Sequence, residues 1–96
     1  MLNLTPYGRL AEFTKLTDKM LYEASKDALA DAARMLAIQV AQYQRQFGVL
    51  PLEDAVELIE AETLGEDQAG WMADGLENLA MAIASVKDED NPPTVQ

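Results

Sequence analysis

Cysteine and histidine are both absent from the 96-residue chain. The lack of cysteine excludes disulfides, thiolate metal sites and cysteine nucleophiles. The lack of histidine removes the commonest general base and transition-metal ligand. We therefore expect a protein that is not an enzyme and that has no catalytic residues, no metal site and no other cofactor.

Long apolar runs are also lacking. No stretch approaches the roughly eighteen uncharged apolar residues that a transmembrane helix requires, and the first residues show no basic segment followed by an apolar one. These absences predict a cytoplasmic protein with no membrane partner.

Basic residues are scarce, and they are unevenly placed. Seven Lys and Arg face seventeen Asp and Glu, for a formal net charge of -10. Residues 1–48 carry six basic and five acidic side chains, whereas residues 49–96 carry one basic and twelve acidic ones. Because negative charge opposes phosphate backbones, we expect no direct nucleic-acid partner.

What the chain does contain is helix-forming sequence, and we predict an all-α fold in one helical domain over residues 1–87. An acidic, proline-containing disordered tail is expected over residues 88–96. Residues 17–47 lack Pro and Gly, which predicts a long first helix with Thr17 as its N-cap and Gly48 at its end. A break near Ser25 or Ala30 is the alternative. The apolar face of this helix comprises Leu21, Ala28, Leu29, Ala32, Leu36, Val40, Tyr43 and Phe47.

The segment before this helix has two interpretations. Thr5 followed by Pro6 is typical of an N-cap with proline in the first turn, which would make residues 5–16 helical. Alternating side chains over the same residues leave a short extended arm as the competing interpretation.

Two shorter antiparallel helices are predicted at about residues 51–63 and 67–87. In the first, Leu52, Ala55, Val56 and Ile59 repeat at helical spacing. In the second, apolar residues recur at heptad-like intervals and predict a close-packed seam, with Gly75 at its edge to admit another helix. The residues at these intervals are Ala69, Met72, Leu76, Leu79, Ile83 and Val86. The residues that we assign to this packing or oligomer seam are Met72, Gly75, Leu76, Leu79 and Ile83, with Leu36, Val40 and Tyr43 from the first helix.

A helix over residues 17–47 would be roughly 45 Å long, which exceeds the diameter of about 26 Å that a compact chain of this size would have. A small helical bundle built on such a helix would leave apolar surface uncovered. We therefore expect a homodimer to complete the bundle.

The predicted helix over residues 51–63 also carries an acidic face. Glu53, Asp54, Glu57 and Glu60 occupy its polar side, and we expect them to contact a basic protein partner. Trp71 is expected to fill a core position rather than to act as an exposed binding anchor. The predicted function is that of an accessory or regulatory protein acting through helix-mediated protein contact. The alternative is a nucleic-acid mimic whose acidic helices inhibit a DNA- or RNA-binding enzyme.

Overall fold

The described part of the protein is all-α, as predicted. A computed structural model describes residues 5–49 and 51–90. Within these residues the chain forms four α-helices and no β-strand: α1 (Pro6–Glu23), α2 (Lys26–Phe47), α3 (Glu53–Glu60) and α4 (Glu66–Asp90).

The long first helix predicted over residues 17–47 is wrong, because the chain breaks between Glu23 and Lys26. Ala24 has extended backbone angles, and the hydroxyl of Ser25 accepts a hydrogen bond of 3.0 Å from the backbone N–H of Ala28. Serine is favoured at an N-cap because its short side chain satisfies one of the free N–H groups of the first turn. The alternative, a break near Ser25, is therefore the one that the structure adopts.

Thr17 is not an N-cap but a buried residue in the middle of α1. Its hydroxyl donates a 2.7 Å hydrogen bond to the carbonyl of Phe13, one turn earlier. The helix begins instead at Pro6, and the hydroxyl of Thr5 accepts from the N–H of Gly8 at 3.0 Å. The helical interpretation of residues 5–16 is thus confirmed, and the extended arm is wrong.

Of the other helix bounds, the end of α2 agrees with the prediction, and the bounds of α3 and α4 differ from it. Gly48 ends α2 with a φ of 102°, which favours glycine at that position. α3 is only eight residues long, against the thirteen predicted for residues 51–63. α4 is the longest helix described and continues to Asp90, so the first residues of the predicted tail are helical and the rest of it lies outside the described residues.

Both α1 and α2 pack against α4. Pro6 lies beside Gly70, and Met20, further along α1, packs on the cluster that contains Ile83 and Val86, so α1 and α4 run parallel. α2 runs in the opposite direction, since its first turns join the same cluster while Tyr43, near its end, faces the start of α4. The predicted antiparallel packing holds for α2 and α4 but not for α1 and α4.

The core between these helices is small. The buried hydrophobic residues of the described chain include only three larger than alanine, namely Leu58, Ile83 and Val86; the others are Ala28, Ala32, Ala69, Ala73, Ala80 and Ala82. Alanine allows close approach of helices but buries little apolar area per residue. Many of the larger hydrophobic side chains are instead exposed to solvent.

Among the described residues, no helix combines the length and the hydrophobicity needed to cross a bilayer.

Candidate functional site

An open groove lies between the last turns of α2, the start of α3 and the first turns of α4. Its volume is about 550 Å³, within the range of roughly 300–1,000 Å³ that is typical of binding pockets. We call it the α2–α3 groove. It is lined by Val40, Tyr43, Gln44, Pro51, Leu52, Asp54, Ala55 and Trp71.

The large apolar side chains of the groove are exposed to solvent. Leu52 is 76% exposed, Trp71 50% and Tyr43 48%. Just beyond them, the ring of Phe47 lies 4.7 Å from that of Tyr43, centroid to centroid, and it is also exposed. Tyr43 and Phe47 belong to the apolar face predicted for the first helix, and this end of that face is uncovered in the structure.

α3 itself forms one wall of the groove and is weakly anchored. Its first turn has no side-chain cap, and Leu58 is its only buried residue. The predicted apolar face of this helix remains largely open, since Leu52, Val56 and Ile59 are all exposed. A surface helix normally buries such a face against a neighbour, so this one has an apolar face without a partner in the described chain.

The predicted acidic residues lie on the same helix. Glu53, Asp54, Glu57 and Glu60 are all exposed, and Asp54 lines the groove. Within residues 5–49 and 51–86 none of these four carboxylates forms an ion pair. The structure thus places acidic and apolar side chains side by side on α3.

Among the described residues, two carboxylates of α4 form ion pairs, unlike those of α3. The guanidinium of Arg9 lies 2.8 Å from a carboxylate oxygen of Asp74 and 3.5 Å from one of Glu77. The hydroxyl of Tyr7 also donates to the carbonyl of Leu64 at 2.9 Å, so these contacts join the start of α1 to α4 and to the residues just before it. Sequence periodicity could not reveal this pairing, because Arg9 and Asp74 are 65 residues apart. The carboxylates of α3 have no such partner among the described side chains, and neither has Asp67 near the start of α4.

Most of the predicted seam lies inside the molecule. Ile83 is fully buried, and Met72, Leu76, Leu79 and Leu36 are half-buried. Leu36 and Leu79 pack on the core cluster of the chain. Only Val40 and Tyr43, the remaining side chains of the predicted seam, open into the groove.

Gly75, the glycine of the predicted seam, is not a point of close approach. No atom lies within 4 Å of the position that a Cβ at Gly75 would take, whereas a Cβ at Gly70 would lie 3.7 Å from the Cβ of Pro6. The close contact between α1 and α4 therefore lies at Gly70, about one turn nearer the start of α4.

Trp71 was expected in the core, and its exposure corrects that expectation. It directly precedes Met72, and a step of one residue turns a side chain by about 100° around a helix. That offset from the buried seam was the sequence signal for an exposed position.

No group of three or more acidic side chains in the described part of the chain could hold a metal ion. A second, smaller cavity of about 100 Å³ lies beside Met35, Asn78 and Met81, below the volume of typical ligand pockets. The α2–α3 groove is therefore the candidate site that we consider.

The fold places the chain among small all-α domains. No family model matches the sequence, and comparisons with curated proteins and with solved structures give no match. A fold does not define a function by itself, so the residues of the groove are the feature that indicates one.

Proposed function

We propose that this chain is a non-catalytic accessory protein that acts by binding another protein through helix contacts at the α2–α3 groove. One observation carries the proposal: among the described residues, fourteen large hydrophobic side chains are exposed, while only three hydrophobic side chains larger than alanine are buried. Four of these exposed side chains, Val40, Tyr43, Leu52 and Trp71, line the groove together, and large contiguous apolar patches on a protein surface mark interaction sites.

The arrangement of these side chains supports a protein partner. Trp71 of α4, Tyr43 of α2 and Leu52 at the N-cap of α3 converge on one groove. Tryptophan and tyrosine are enriched among the residues that dominate binding energy at protein interfaces. Full burial of one large apolar side chain contributes about 1.5–3 kcal/mol, so a partner helix that covers this groove would gain several such contributions.

The substitution Leu52→Ser tests this proposal. Leu52 directly precedes the first turn of α3 and is 76% exposed, so the change removes an apolar contact with a partner and little packing within the chain. We expect the amount of partner captured from native lysate by the tagged full chain to fall about tenfold, which corresponds to ~1.4 kcal/mol.

Tyr22→Ser is the matched control. Tyr22 is 92% exposed and lies near the end of α1, away from the groove, so its loss should leave capture unchanged. Equal capture by wild type and Leu52→Ser, or equal loss in both variants, would contradict a role for the groove.

Charge mimicry of a nucleic acid is the second candidate, and one observation favours it. The four acidic side chains of α3 are exposed and form no ion pairs within the described residues. The mimic predicts that added duplex DNA or RNA displaces the partner and that high salt abolishes binding. The exposed apolar residues beside these carboxylates, Leu52, Val56 and Ile59, have no counterpart on a phosphate backbone and favour the first proposal.

A further inference from the structure

We infer that the occupant of the α2–α3 groove is a basic amphipathic α-helix of another protein. This inference rests on the proposed function and specifies the chemistry of the partner. Two features of the groove point to such a helix: an apolar floor shared by three helices, and uncompensated negative charge on one wall.

The apolar lining determines the kind of backbone that fits. The walls of the groove are helices, and they offer no sheet edge to which an extended peptide could add a strand. Helices bind such grooves by inserting large apolar side chains spaced at i, i+3, i+4 and i+7. Val40, Tyr43 and Leu52 provide apolar contacts on two sides, and Trp71 provides an aromatic contact on the third.

The charge beside the groove determines the polar face of the partner. Asp54 lines the groove, and Glu53, Glu57 and Glu60 are exposed on the same short helix. Asp67 lies one helical turn before Trp71 and is also exposed. Residues 46–86 contain no Lys or Arg, and within the described residues Arg45, which follows the groove residue Gln44, forms no ion pair with these groups. Lysine or arginine on a partner would therefore meet complementary charge.

The same charge argues against a second copy as the occupant. Each chain has a formal net charge of -10. A symmetric contact through the groove would place the α3 carboxylates of two chains close together, within the screening length of about 8 Å at physiological ionic strength. Like charges at an interface oppose association, whereas a basic helix reduces the net charge of the complex.

Trp71 provides a direct readout, because it is the only tryptophan of the chain and it lines the groove. The probe is a synthetic 18-residue amphipathic helix with leucine at i, i+3, i+4 and i+7, lysine on its polar face, and no aromatic residue. A second peptide carries glutamate in place of every lysine. We expect the lysine peptide to shift the Trp71 emission to shorter wavelength in a saturable manner and to bind at least about tenfold more tightly than the glutamate peptide at low salt.

Paired charge variants of the full chain separate groove binding from attraction to net charge. Asp54→Lys combined with Glu57→Lys should weaken binding of the lysine peptide at least about tenfold. Asp18→Lys combined with Glu23→Lys makes the same change in charge on exposed positions of α1, and should weaken it less than about twofold, since those positions lie away from the groove.

Three results would overturn the inference. One is equal affinity for the lysine and glutamate peptides, and another is equal weakening by the two paired variants. The third is a dimer in which Trp71 is already buried and insensitive to peptide. If any of these occurs while Leu52→Ser still lowers partner capture about tenfold, the basic helix is wrong but the proposed function stands. If Leu52→Ser has no effect on capture either, the proposed function fails as well.

Discussion

Ser25 lies at the break that divides the predicted long helix into α1 and α2. Residues 17–47 have helix-forming composition throughout, and composition alone predicts one continuous helix. The hydroxyl of Ser25 instead caps a new helix by accepting from the N–H of Ala28, and Ala24 turns the chain. The preference of serine for caps was visible in the sequence, but its outcome depended on whether α1 and α2 could both pack on α4.

Ser25→Ala tests the importance of this cap. We expect the free energy of unfolding to fall by about 1 kcal/mol, because the N–H of Ala28 loses its side-chain acceptor. Urea denaturation followed by circular dichroism measures the change. Ser85→Ala is the matched control, since the exposed Ser85 hydroxyl only donates to the carbonyl of Met81 in its own helix and alanine favours helices. Equal stability of Ser25→Ala and wild type would show that the cap contributes nothing to the stability of the fold.

At the scale of the element, α4 is the helix on which the fold is built. Its heptad-like spacing was readable from the sequence, and Ile83 and Val86 are buried as that spacing predicts. The partners of the seam were not readable, because periodicity defines a face but not the helix that covers it. The structure shows α1 and α2 on this face, with alanines at many of the contacts.

Ile83→Ala tests the central position of α4. With so few large side chains in the core, we expect a loss of about 2–5 kcal/mol in the free energy of unfolding, from lost burial and from the cavity left behind. Met81→Ala is the control in the same helix, because Met81 is 62% exposed, and it should change stability by less than about 0.5 kcal/mol. A small effect of Ile83→Ala in urea denaturation would contradict the packing described.

For α3, the sequence predicts the helix correctly but the burial of its apolar face incorrectly. The spacing of Leu52, Ala55, Val56 and Ile59 correctly predicts a helix, but it also predicts that this face is buried. In the structure most of this face is exposed beside the groove. A hydrophobic pattern cannot distinguish packing within the chain from packing on a partner, and so the candidate site could not be located from the sequence.

At the scale of the whole molecule, the break at Ser25 removes one reason to expect a homodimer. The predicted helix of roughly 45 Å, which a compact monomer could not cover, does not form. Exposed apolar side chains outside the groove, such as Leu21 and Ile38, remain as support, so dimerisation stays a prediction. Sedimentation velocity of the full chain over a range of concentrations measures it, with twice the monomer mass of 10.5 kDa expected for a dimer and concentration-independent monomer as the contrary result.

The overall distribution of charge and apolar surface is the basis of the functional account. Negative charge is uncompensated on α3, whereas Arg9 engages the carboxylates of Asp74 and Glu77 on α4. The acidic balance of residues 49–96 was evident from the sequence, and Glu53, Asp54, Glu57 and Glu60 are exposed as an acidic binding face requires. Which of the acidic residues lie beside apolar ones depends on helix packing, and the structure was needed to show it.

Site-specific photocross-linking tests the central claim most directly. A photoreactive phenylalanine analogue placed at Leu52 of the full chain in its native cell should give a discrete adduct with another protein, because that side chain opens into the groove. The same analogue at Tyr22, exposed on α1, should give none. A discrete adduct from position 52 alone is the predicted result, and its absence, or identical adducts from both positions, would contradict a protein-binding role for the α2–α3 groove.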